Sequence, residues 1–100
     1  MTDKTPVISP SAPPAGPYSP GLAVGEWVFL AGQTGAGGCT PADVVSCLVH
    51  LADLSDFQRF NAVHERHFPE PRPVRTTVGA ALLGGAKVEI TAVARRPAHP

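Results

Sequence analysis

Arg75 and Glu89 are the residues of this 100-residue chain whose types and placement could do chemistry. They lie in the stretch PRPVRTTVGAALLGGAKVEITAVARRP, residues 71–97, which reads as two strands around an apolar, glycine-broken loop. Val74, Thr76 and Val78 alternate along the first strand, and Val88, Ile90 and Ala92 along the second, the period-two pattern of a sheet with one face on a core. If those rows share the core, Arg75 and Thr77 share the opposite surface with Glu89 and Thr91. A guanidinium grips a carboxylate through two parallel hydrogen bonds, which lysine cannot copy. A glutamate facing it could place a water and move its proton. An ordinary cross-strand ion pair, worth about 0.2–1 kcal/mol, has the same spacing and is on spacing alone the simpler account.

Other chemistry-bearing residues form weaker patterns. His64 and His67 are three apart on an expected helix, with His50 and Cys47 nearby in sequence, but a structural zinc site wants four ligands. Ser19 and Ser46 lack a base-and-acid arrangement, so no nucleophilic triad is indicated. The glycine-rich segment 32–41 follows a strand, yet it has neither phosphate-loop spacing nor a helix after it, and a flexible connection is the better account.

The elements that must position these residues follow from pattern. Residues 1–20 hold six of the twelve prolines and leave room for a short edge strand around Pro6–Ser9. Gly16-Pro17-Tyr18-Ser19-Pro20 is a stiff turn that could hold Tyr18 in a fixed direction. Leu22–Ala31 reads as a hairpin turning at Gly25-Glu26; its second arm is apolar throughout, as in a strand covered on both faces, one of them by another subunit. Asp43–Ala52 is a strand with Val45, Cys47, Val49 and Leu51 on one face. A helix follows to about Phe68, opened by Ser55 as N-cap with Gln58 completing a capping box, and striped by Phe57, Phe60 and Val63 with His64, His67 or Phe68 beyond. The order is β-β-β, loop, β-α-β-β. One helix of about 21 Å cannot cover a whole sheet face, so apolar surface is expected to go into another chain.

Composition narrows the class. The chain is one domain, and its eight acidic and eight basic residues cancel, which leaves no electrostatic footprint for nucleic acid or an anionic membrane. Cys39 and Cys47 are not spaced as a disulfide framework or metal pair and read as free thiols. No apolar run reaches spanning length and no leader is evident, so a soluble, cytoplasmic protein is expected.

The blocks GPYSPG (16–21), WVFLAGQ (27–33), DVVSCLVHLADLSDFQRFNAVHERHF (43–68), PVRTTV (73–78) and KVEITAVA (87–94) resemble, in order, those of the RidA/YjgF family of reactive-intermediate imine and enamine deaminases. The family signature reverses the balance between site and ion pair. The resemblance implies a chorismate-mutase-like α/β (α+β) fold, a mixed sheet packed against helix, in homotrimers with ligand clefts between subunits. It implies hydrolysis of small 2-imino acids, tautomers of 2-aminoacrylate and 2-iminobutanoate, to 2-keto acids and ammonia, without metal or cofactor. Matching positions make Arg75 the carboxylate anchor and Glu89 the residue that positions water, with Tyr18, Gly32, Asn61 and the Thr77 backbone lining the cleft. One departure is plain: between about residues 35 and 38 the family's first helix is missing, so a single RidA-like domain (1–100) is expected with one remaining helix. A member that binds small carboxylates or a protein without turnover is the alternative.

Overall fold

The expected strands form one sheet in the computed structural model, which describes residues 4–7, 21–31 and 40–96, with the edge strand starting at Lys4, earlier than the expected Pro6–Ser9. They are β1 (Lys4–Val7), β2 (Gly21–Val24), β3 (Trp27–Ala31), β4 (Val44–Leu51), β5 (Val74–Gly79) and β6 (Val88–Arg95), with α1 (Phe57–His67) between β4 and β5. The sheet order is β1-β2-β3-β6-β4-β5. Neighbours are antiparallel except β4 and β5, which are parallel and therefore need a crossover, supplied by α1. This is the expected mixed α+β sheet with one helix.

The β2–β3 hairpin closes on Gly25-Glu26, where Gly25 takes φ 59°, a left-handed value that glycine adopts without strain. The turn is tied to the end of β6, since the Arg96 N–H donates to the Glu26 carbonyl at 2.7 Å and the Arg95 guanidinium meets the Glu26 carboxylate at 3.2 Å.

Register decides what the sheet buries. Val28 lies opposite Ala94, Leu30 and Cys47 both opposite Ala92, and Val49 opposite Ile90. Paired residues share a face, so these side chains, with Ala23 and Leu51, make one apolar layer that is buried. Phe60 and Phe68, at i and i+8 around the buried His64, lay α1 onto that layer.

Four details differ from the sequence pattern. β5 and β6 do not pair with each other, because β4 inserts between them. β4 carries an irregularity between Val44 and Ser46, which turns Val44 into the core and leaves Val45 exposed. The helix is opened by Asp53, whose Oδ1 accepts the Ser55 N–H at 2.9 Å, through a 3₁₀ turn Leu54–Asp56; Ser55 is not its cap. On β3, Val28 and Leu30 are buried while Trp27 and Phe29, at 40% and 45% exposure, stand open on the other face. That second face continues through Leu48, Val74 and Val78 as exposed apolar surface.

One close approach links helix and sheet edge. A Cβ on Gly79, at the end of β5, would come within 3.1 Å of the Leu54 side chain, so glycine is what lets the 3₁₀ turn sit down on the strand.

Leu51 is among the fully buried side chains. Leu51→Ala is expected to cost about 2–5 kcal/mol in urea denaturation, and Leu48→Ala on the open face much less.

Candidate active site

Arg75 sits on the helix-covered side of the sheet. Its register partner on β4 is Cys47, which also pairs with the buried Ala92. The guanidinium carbon lies 5.7 Å from the ring centroids of both Phe57 and Phe60, so the first turn of α1 provides two aromatic faces for the cation. Among the described residues the ion pairs are Arg59–Asp56, Arg72–Glu70 and Arg95–Glu26, and Arg75 belongs to none of them. A half-buried guanidinium held by ring faces, with no carboxylate spent on it, is ready to receive an anion.

Glu89 is on the opposite face. It pairs with His50, which in turn pairs with Val78, and this row belongs to the exposed side. The expectation that Arg75 and Thr77 share a surface with Glu89 and Thr91 is therefore corrected: within one protomer they project to opposite sides of the sheet, two strands apart. An ordinary Arg75–Glu89 ion pair is ruled out for the same reason.

Asn61 and Arg75 do meet. Together with His64, Glu65, Arg72 and Pro73 they line a polar cleft of about 420 Å³ between α1 and the start of β5. Thr77 lies two residues along on the same face as Arg75, with its hydroxyl enclosed and unpartnered. Tyr18 and Gly32 lie outside the described residues. A second groove, about 340 Å³, follows the other flank of α1 between Phe60, Val63, Leu51 and Val88, and is apolar with Asp56, Arg59 and Lys87 among its lining residues.

His64 is the residue that sequence reasoning undervalued. It is only 6% exposed, lies between the rings of Phe60 (centroids 5.6 Å) and Phe68 (4.4 Å), and its Nδ1 has no hydrogen-bond partner. The signal was present in its spacing: three residues from Asn61 and four from each phenylalanine put it on the inward face beside the site. His67 is exposed, so the two histidines do not share a face. Burial, and then the guanidiniums of Arg75 and Arg72, hold the His64 imidazole below its ordinary range. On Cys47 burial pushes the thiol upward, partly offset by Arg75.

The arrangement is a polar cleft lined by two guanidiniums, and comparison with known proteins assigns the scaffold. A family profile described as Endoribonuclease L-PSP matches residues 36–96. The 2-iminobutanoate/2-iminopropanoate deaminase of Dermatophagoides farinae is 32% identical over 124 residues, which cover 93% of this chain and 97% of that protein. The chain belongs to the RidA/YjgF family. A RutC family protein of Saccharolobus solfataricus is 31% identical over 90% of this chain and 96% of its own length. The crystal structure of the yeast protein YEO7 superposes with TM-score 0.86 at 28% identity, over 94% of this chain and 99% of that one. Because 124 aligned positions exceed the 100 residues available here, the mite RidA-family relative carries residues with no counterpart in this chain.

His64 makes a pH-dependent prediction. A histidine whose folded pKa lies below its unfolded value of 6.5 binds its proton more readily when the chain unfolds. Its contribution is therefore fully present above that value and is lost as pH falls toward the folded pKa. The melting temperature is expected to drop as pH falls below 6.5, and to drop less in His64→Phe; equal slopes for the two proteins would contradict this.

Proposed function

We propose that the chain hydrolyses small 2-imino acids and their enamine tautomers, of the 2-aminoacrylate and 2-iminobutanoate type, to 2-keto acids and ammonia. The observation that carries this reading is the Arg75 guanidinium, unpaired with any described carboxylate and facing a polar cleft that Asn61 also lines. The deaminase name of the relative at 32% identity supports it. In this reading Arg75 grips the substrate carboxylate by two parallel hydrogen bonds, and Asn61 and the Thr77 backbone orient the rest, with Tyr18 and Gly32 completing the wall. The imine carbon is already electrophilic, so the site has to hold the carboxylate, place a water and move a proton. Water adds to C2 while the C=N electron pair moves to nitrogen and is protonated there. The carbinolamine hydroxyl proton then passes to nitrogen, the C–N bond breaks to release ammonia, and the C=O forms. No external oxidant or electron carrier is needed.

Glu89 is our candidate for that proton transfer, and its position dictates an assembly. Turned away from Arg75 in its own protomer, its carboxylate would serve a ligand held by the Arg75 of another copy. A homotrimer with clefts between subunits meets this need, and the open apolar face around Trp27, Phe29 and Val78 supports self-association. The separation of Arg75 from Glu89 also favours a second reading, in which the cleft binds small carboxylates without turnover. Zero net charge gives no support to a polynucleotide as ligand.

The test is keto-acid release from enzymatically generated 2-iminobutanoate. Arg75→Ala is expected to lower kcat/KM by about 100-fold, the loss of a two-bond charge-assisted grip, and Arg75→Lys to recover little of it. Glu89→Gln should also lose turnover while retaining ligand-dependent thermal stabilisation. Co-assembled Arg75→Ala and Glu89→Gln chains should regain activity, since some sites would then combine an intact arginine with an intact glutamate. A well-assembled parent protein with no turnover would select the binding reading.

A further inference from the structure

The α1/β5 cleft holds a second guanidinium that the reaction proposed above does not use. Arg72 lies in the segment leading into β5, three residues before Arg75, and both line the same cavity with His64 on the helix side. One arginine is enough for the single carboxylate of a short 2-imino acid. Arg72 has a local partner, the Glu70 carboxylate at 3.1 Å, but Glu70 is 81% exposed and its pairing is of the screened surface kind that contributes little. Arg72 is thus free to turn to a better-desolvated anion without a large loss.

The charges inside the cleft are uneven. Glu65 is the acidic lining residue and is solvent-exposed. The fields that depress the His64 imidazole come from Arg75 and Arg72, with no counterpart from the adjacent Glu65. Arg75 is the half-buried charge beside the imidazole, while Arg72, with its side chain 39% exposed, and Glu65 are both solvent-exposed, and His64 feels both guanidiniums. A cleft of about 420 Å³ also exceeds what a four-carbon ligand fills, and Arg72 and Arg75 both line it.

We propose that this cleft selects dicarboxylates, Arg75 taking the carboxylate beside the imine carbon and Arg72 the distal one. The substrate class is then a 2-imino dicarboxylic acid, the kind of product formed when an acidic amino acid is oxidised at its α-carbon. This deepens the deaminase reading and rests on it for the reaction, though the binding preference can be measured without turnover. The neutral imidazole of His64, with its unpartnered Nδ1, gives the space between the guanidiniums a polar wall that adds no charge of its own.

The probes are the stable keto-acid products, 2-oxoglutarate and oxaloacetate against 2-oxobutanoate, titrated calorimetrically into the full-length protein at one ionic strength. The dicarboxylates are expected to bind about tenfold tighter, as one added charge-assisted contact gives. Arg72→Gln should bring the ratio close to one and Arg72→Lys should keep part of it, with unchanged melting temperatures as the folding control. Arg75→Ala should weaken all three acids. Equal affinities in the parent protein, or a preference that survives Arg72→Gln, would overturn the dicarboxylate proposal and leave the deaminase reading standing. Failure of all three acids to bind would likewise overturn the dicarboxylate proposal, and the deaminase reading would then stand or fall on keto-acid release alone.

Discussion

β4 is hydrogen-bonded on both sides along most of its length, parallel to β5 and antiparallel to β6, and that double ladder decides which side chains can meet. Because side chains alternate strictly, the pairing of Cys47 with both Arg75 and Ala92 commits Arg75 to the core side. The next pairing, His50 with both Val78 and Glu89, commits Glu89 to the other. A one-residue slip of β5 would turn Arg75 to the open face, one of β6 would turn Glu89 to the covered face, and one of β4 against both would turn Val49 and Leu51 out of the core. Hydrophobic burial of those residues and placement of the charged pair are one constraint.

The same constraint explains how a cation is tolerated beside an apolar layer. At Arg75 the sheet meets the first turn of α1, where Phe57 and Phe60 offer ring faces where a carboxylate would otherwise be needed. Aromatic faces attract the guanidinium without occupying its hydrogen-bond donors. An arriving anion then displaces water and not an internal partner, so the donors are set in direction before the ligand binds. His64 completes the wall on the helix side and stays neutral because burial and two neighbouring guanidiniums oppose its charge.

Local pattern carried the element order and most boundaries: the alternation of β4 and β6, the Gly25 turn and the proline-bounded end of α1 are all legible one residue after another. The phase of β5 was not. Val74, Thr76 and Val78 look like a core row because β-branched residues suit either side of a sheet, yet Val74 is 70% exposed and the inward row is Arg75 and Thr77. An arginine on the covered face is intelligible only once Phe57 and Phe60 are known to lie over it, which is tertiary information. The insertion of β6 between β3 and β4 is likewise a property of the whole chain, and it separates two strands that are consecutive in sequence. Arg75 and Asn61 could be singled out from motif blocks, whereas the separation of Glu89 from them required the register.

Gly79 and Leu54 carry a consequence for how this chain can vary over time. Leu54 begins the turn that leads into α1, and Gly79 ends the strand that bears Arg75; a methyl group on Gly79 would press on the Leu54 side chain at 3.1 Å. The two positions are mechanically coupled: a larger residue at 79 would push on Leu54, at the start of the turn that carries Phe57 and Phe60 over the guanidinium. Descendant sequences are therefore expected to drift at 54 and 79 in concert, a bulkier residue at one accompanied by a smaller one at the other. Paired substitutions there would mark lineages that keep the rings of Phe57 and Phe60 over Arg75, and an unpaired one a lineage in which that packing is no longer selected.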